Sequence, residues 1–305
     1  QVLVQAQSQQ EKINRLKKQR EALQRLIGRQ EEINRESRRA DADADALAGK
    51  QGTLHNDTSD LRRDIQASPE GKDAAEALNR ATREMDNGRM AFGREDLRSG
   101  GIHGTRSLAA LVSALRALED ALRNASANQI AQLAQQADQL SQEQQEAAQA
   151  SAEAATQPPD AGTAKAMRAK QNELKRQSDE LMQAISQAAE SLQDDYPEAA
   201  KALRAAAEQS RQRELPAHQQ RAINALLYKR YERARKDQVD AANYLQALAM
   251  DLQNASAQLP PIGEQDLREA LQQLGEQAEK VSQAMQDQNQ QRASQRIENA
   301  RQSTA

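Results

Sequence analysis

The sequence predicts an all-α fold class: long antiparallel helices forming coiled-coil-like bundles, elongated, with an internal duplication. Three observations carry this expectation. The composition is poor in aromatics and rich in helix formers, apolar residues are spaced alternately by three and four, and similar segments recur in the same order in both halves. Aromatic residues are 2% of the chain, with one Phe, four Tyr and no Trp, so the side chains that usually supply much of a core's buried area are nearly absent. The hydrophobic share is 37%, much of it Ala, and the mean hydropathy is -0.95. Ala, Gln, Glu, Arg, Lys and Leu form helices readily, and strand-favouring residues are scarce. Such a composition suits either long helices or disorder, and the periodicity selects helices.

Near the start of the chain Ile13, Leu16, Leu23 and Ile27 follow the three–four alternation, with Arg20 interrupting it. A second stripe runs through Leu108, Leu111, Leu115, Leu118 and Leu122. A third, weaker one uses Leu174, Ser178, Leu181, Ile185, Ala188 and Leu192. The longest runs through Tyr231, Ala234, Gln238, Ala241, Leu245, Leu248, Leu252, Ala255 and Leu259, and a last one through Leu267, Leu271, Leu274, Ala278, Val281 and Met285. This spacing lays one narrow apolar seam along each helix. The seam leucines 108, 111, 115, 118, 122, 245, 248, 252, 267, 271 and 274 are the candidate packing or interaction residues. A seam that narrow does not stabilise a solitary helix in water, so the helices must pack on each other or on further copies of the chain.

Helix breaks are expected at residues 49–60, 68–71, 98–104, 156–162, 194–198, 214–216 and 259–263, where Gly and Pro cluster. Ser68 before Pro69, and Asp195 just before Tyr196 and Pro197, have the form of helix starts. The triplet Asn-Ala-Ser occurs at Asn124 and at Asn254, and Pro69 and Pro197 open similar alanine-rich runs. Features in the same order suggest a repeated unit, with a first unit over 1–156, a second over 157–305 and a linker around 156–162.

Chemistry has little to work with. The chain has no Cys, which excludes disulfides, thiol nucleophiles and thiolate metal sites. His55, His103 and His218 stand apart from one another beside expected breaks, and read as solvated turn residues. The run Asp41–Leu47 resembles the first half of a calcium loop, but Ala46 and Gly52 stand where such a loop needs Gly and a bidentate Glu. An acidic helix end is the simpler reading. No catalytic residue, cofactor or metal site is expected, and no enzyme activity. A formal net charge of -3 is poor footing for a nucleic-acid binder. The basic cluster Tyr228, Arg230, Tyr231, Arg233 and Arg235 is a candidate partner patch, since Tyr and Arg are favoured interface anchors. No stretch approaches the length of a membrane span.

The segment from Ala199 to Leu226 resembles a recurrent one in large bacterial envelope proteins of unknown function, whose N-terminal membrane helices precede long Gln/Ala/Arg-rich helical regions. There a helix of AxxAxxxL type ends in a short turn and a second begins QxxAxxxL. Gln219 or Gln220, Ala222 and Leu226 take those places here, while residues 85–96 depart from the pattern. The resemblance implies the extramembrane helical part of an anchored protein, in the cell envelope or periplasm in preference to the cytoplasm. The expected function is structural or scaffolding, through self-association or protein partners. The alternative is an adaptor or chaperone-like module that holds a client in a groove between helices.

Overall fold

The structure, a computed structural model, describes residues 2–260, which are helical almost throughout and contain no strand. The helices are α1 (Val2–Glu36), α2 (Ala44–Gln66), α3 (Lys72–Phe92), α4 (Leu97–Thr156), α5 (Ala161–Leu192), α6 (Pro197–Gln212), α7 (Leu215–Leu227) and α8 (Tyr231–Ser256). The described residues fall into two compact units, one built from Lys17–Ala121 and the other from the segments before Lys17 and after Ala121. The divisions fall inside α1 and α4, so each of these helices contributes to both units. The turn near 156–162, expected to separate the units, instead joins α4 to α5 within one of them.

In the N-terminal unit α1 and α2 run antiparallel. Gln19 bonds Asp64, Arg29 pairs with Asp57 at 2.5 Å and Glu36 with Lys50 at 2.6 Å, so numbers rise on one helix as they fall on the other. The start of α2 is fixed by Asp43, whose carboxylate accepts the Ala46 N–H at 3.0 Å and so serves as an N-cap. Two of the expected breaks do not break. Residues 49–60 lie inside α2 and 98–104 inside α4. Two of the three α4 glycines, Gly100 and Gly104, are there for close packing. A Cβ on Gly100 would come closer than 3.0 Å to the Phe92 ring, and one on Gly104 would strike the Asn34 amide. Absence of a side chain thus lets α4 approach α3 and α1, and this is why Phe92, the chain's one Phe, is fully buried.

The other unit packs α4, from Leu122 onward, against α5, α6, α7 and α8 around Ile130, Leu181, Ile185, Leu203, Leu245, Leu248 and Leu252. Asp160 caps α5 by accepting the Thr163 N–H at 2.9 Å, and that bond holds its carboxyl below the usual carboxylate range. The expected seams are largely buried. All nine predicted positions of α8 and its exit, Tyr231 through Leu259, are inside, as are the six of α5. Leu108, Leu111, Leu118 and Leu122 are buried on α4, but Leu115 is only half-buried because Ala114 takes the inner position. On α1, Leu26 is buried and Ile27 half-buried, since the seam advances from Leu23 by three rather than four. Leu267, Leu271 and Leu274 lie outside the described residues.

Each core also contains a polar layer. In the N-terminal unit Gln51 donates to Gln30 at 2.9 Å and Gln30 donates back at 3.3 Å, while the Ser107 hydroxyl donates to Gln30 Oε1 at 2.7 Å. In the other, Gln144 and Gln171 exchange bonds of 2.9 and 3.1 Å, and the Gln238 amide lies 2.9 Å from Gln171 Oε1. Helices α1, α2 and α4 supply these groups in one unit and α4, α5 and α8 in the other, and all are essentially inaccessible to water. Buried amides are tolerated only when paired, because each orphaned group costs on the order of 1–3 kcal/mol.

Two expected outcomes follow from this packing. Leu248→Ala should destabilise by about 2–5 kcal/mol in denaturant titration, since it opens a cavity among residues too small to fill it. Gln171→Leu keeps a large side chain but strips partners from Gln144 and Gln238. It should also destabilise, by roughly 1–3 kcal/mol, although Leu is the more hydrophobic residue; a stability equal to the parent would show that the amide layer is not paired in solution.

Candidate functional site in the corner between helices 7 and 8

In the C-terminal unit, formed by the segments before Lys17 and after Ala121, α6 and α7 are separated by a break. Glu214 adopts left-handed backbone, φ 58°, between α6 and α7, and Pro216 sits in the first turn of α7, where its missing N–H does no harm. This restart presents His218 and Arg221 toward α8. His218 Nδ1 lies 3.1 Å from Asp237 Oδ1 and 3.6 Å from Asp240 Oδ2, and its ring meets the edge of Tyr244 at 5.4 Å. Arg221 Nε donates to the same Asp237 oxygen at 3.1 Å, and its terminal nitrogen reaches Glu214 at 3.3 Å. The bond to Asp237 raises the Arg221 guanidinium above its ordinary value. His218, expected as a solvated turn residue, is therefore a helical one with 15% of its side chain exposed, held between two carboxylates. His103 is likewise helical, and its Nδ1 lies 2.8 Å from Glu84 Oε2.

His218, Asp237 and Asp240 could offer one ligand atom each within 4.8 Å. The Asp237 carboxylate is already bonded to the Arg221 guanidinium, whose positive charge a divalent cation there would meet at close range. The donor set therefore fits an ion-pair lock between α7 and α8 better than a metal centre.

On the outer side of this lock lies a concavity of about 170 Å³ lined by Arg221, Asn224, Ala225, Tyr228, Arg230 and Arg233. The predicted patch divides here. Tyr231 turns inward and is buried with Ala154, Ala225, Leu226 and Ala234. Tyr228 is 68% exposed, with the Arg230 guanidinium 5.9 Å from its ring centroid. Arg230 and Arg233 line the concavity, whereas Arg235 pairs with Glu232 at 3.0 Å. Among the described residues no carboxylate is paired with Arg230 or Arg233. Sequence reading missed Arg221, Asn224 and the His218–Asp237–Asp240 cluster. The available signal was spacing: His218 and Asp237 are 19 positions apart, as are Glu84 and His103.

Comparison with protein-family models, with curated proteins and with solved structures finds no match to this chain.

Asp237 accepts from Arg221 and lies 3.1 Å from His218 Nδ1, at a position only 10% exposed. Asp237→Ala should lower stability by about 1.5–3 kcal/mol, the range for hydrogen bonds to charged groups, and nearer the low end because Arg221 is part-exposed. Chemical denaturation measures it. A change within error would mean that the lock does not form in solution.

Proposed function

We propose that this chain is a non-enzymatic structural protein whose helical bundles hold protein partners, as the extramembrane part of an envelope protein. One observation supports this reading above others: the leucine seams are spent on internal packing, and what the C-terminal unit leaves exposed at the α7–α8 corner is Leu227 and Tyr228 beside unpaired arginines. Tyr and Arg are the residue types that anchor protein interfaces. No helix among the described residues is long and apolar enough to cross a membrane, in keeping with an extramembrane part. The internal duplication belongs to the same proposal. It is supported by the recurring glutamine layer, by the His–carboxylate pairs at equal spacing and by left-handed residues, Glu95 and Lys229, placed two positions before α4 and α8.

The second reading, a client-holding adaptor, has one observation in its favour. A groove of about 320 Å³ between α6 and α8 is floored by Ala202, Ala205, Ala206 and Ala255 and rimmed by charged residues such as Lys201 and Asp251.

Affinity capture from native envelope extract, followed by mass measurement of the intact assembly, tests the scaffold reading. The parent should carry a stoichiometric partner or further copies, and Leu227→Ser/Tyr228→Ser should lose them without loss of helix. Monomers alone from both proteins would overturn it, and a partner lost only by Ala205→Glu would favour the groove.

A further inference from the structure

The turns that enter α4 and α8 are built alike and charged oppositely. Before α4, the Glu95 N–H donates to Phe92 O at 2.8 Å and the Asp96 N–H to Ala91 O at 3.0 Å. Before α8, the Lys229 N–H donates to Leu226 O at 3.2 Å and the Arg230 N–H to Ala225 O at 2.8 Å. Glu95 and Lys229 are both left-handed, with φ 61° and 56°. In the first turn Asp96 supplies an anion: its carboxylate accepts the Ser99 N–H at 3.0 Å, and the Ser99 hydroxyl and N–H hold its carboxyl below the usual range. In the second, Arg230 stands in that place and makes no side-chain cap, and Arg233 stands where Ser99 does. Arg230 and Arg233 oppose the helix dipole at this N-terminus, against the one acid of the first turn, Glu232, which is paired with Arg235, so a further anion joining them is stabilising. The concavity described above opens at this place, walled by Arg221, Arg230 and Arg233 with Asn224 as a neutral donor.

We propose that this concavity is a binding site for a carboxylate side chain from an acidic, partly apolar segment of a partner protein. The inference rests on the scaffold reading and names the chemistry of its partner. Arg230 and Arg233 offer paired N–H donors in the planar geometry that a carboxylate accepts, and Arg221, already bonded to Asp237 and Glu214, adds positive charge to the wall. At about 170 Å³ the site holds such a group but falls short of the roughly 300–1,000 Å³ of pockets for larger ligands. Leu227, 50% exposed, and Tyr228 adjoin it, so an apolar residue beside the acid finds a surface to cover, which a free anion would leave bare. Five basic residues against one Glu between Tyr228 and Lys236, in a chain of net charge -3, steer an acidic segment to this corner.

The test uses the full chain and a fluorescein-labelled synthetic peptide alternating Asp and Glu with Leu and Phe, read by anisotropy. Its Asn/Gln counterpart, inorganic phosphate and phosphatidylserine vesicles form separate arms. The acidic peptide should bind, more weakly as salt rises, and its amide counterpart should not. Arg230→Gln/Arg233→Gln should weaken binding about tenfold or more, the factor carried by one lost charge-assisted hydrogen bond. Arg204→Gln, an exposed change elsewhere on α6, should leave it unaltered. Arg230→Asp restores the anion found before α4, and should both abolish binding and raise the melting midpoint. Unchanged affinity in the double variant, binding retained by Arg230→Asp, or preference for phosphate or for the vesicles would each overturn the proposal. If the captured assembly persists when Arg230 and Arg233 are replaced, the scaffold reading stands and this site falls.

Discussion

Pairing of buried amides sets the register on which the rest of the structure depends. A seam of Ala and Leu at steps of three and four looks much the same after a shift of one heptad, so apolar burial alone discriminates weakly between alignments of neighbouring helices. Gln30 with Gln51, and Gln144 with Gln171, remove that degeneracy. Any slip would place inaccessible amides against methyl groups and leave each without a partner, a cost that the modest burial of alanines cannot offset. The layer thus gives up some hydrophobic stabilisation in return for a single alignment, and the third partner, Ser107 on α4 or Gln238 on α8, extends that alignment across each bundle.

What the sequence made legible follows from the same physics. Helix type and seam were readable because period alone determines them, and the run from Tyr231 to Leu259 is buried at every expected position. The glycines of α4 were misread because a pattern cannot tell a glycine that ends a helix from one that admits a neighbour. Gly100 and Gly104 are the latter, and only the approach of Phe92 and Asn34 reveals it. The two Asn-Ala-Ser triplets stand 130 positions apart and the left-handed residues Glu95 and Lys229 134 apart, a difference of about one helical turn. At the corner, sequence reading found the arginines but not the lock, since neither His218 nor Asp237 carries a local signature and their pairing depends on where α7 restarts.

That restart separates the two units in character. α3 runs unbroken for 21 residues in one unit, whereas in the other α6 gives way to α7 at the left-handed Glu214. The division costs helix continuity and is held by Pro216, by the Glu214–Arg221 pair and by the bonds from His218 and Arg221 to Asp237. Electrostatics here are local and directional: Asp237 takes the Arg221 guanidinium and lies beside His218, and Arg230 and Arg233 beyond it have no carboxylate partner among the described residues. The two His–carboxylate pairs have opposite polarity, the acid lying on α3 in one unit and on α8 in the other.

The distribution of aromatic rings has a spectroscopic consequence. The chain has no Trp, and its four tyrosines, Tyr196, Tyr228, Tyr231 and Tyr244, all belong to the C-terminal unit, whereas the other unit's ring is Phe92. Ultraviolet emission excited at tyrosine wavelengths therefore originates from one bundle only, while far-ultraviolet dichroism sums over both. The protein carries a natural optical label on half of itself, and any gap between the two signals during melting reads out directly whether its cores come apart together or in sequence.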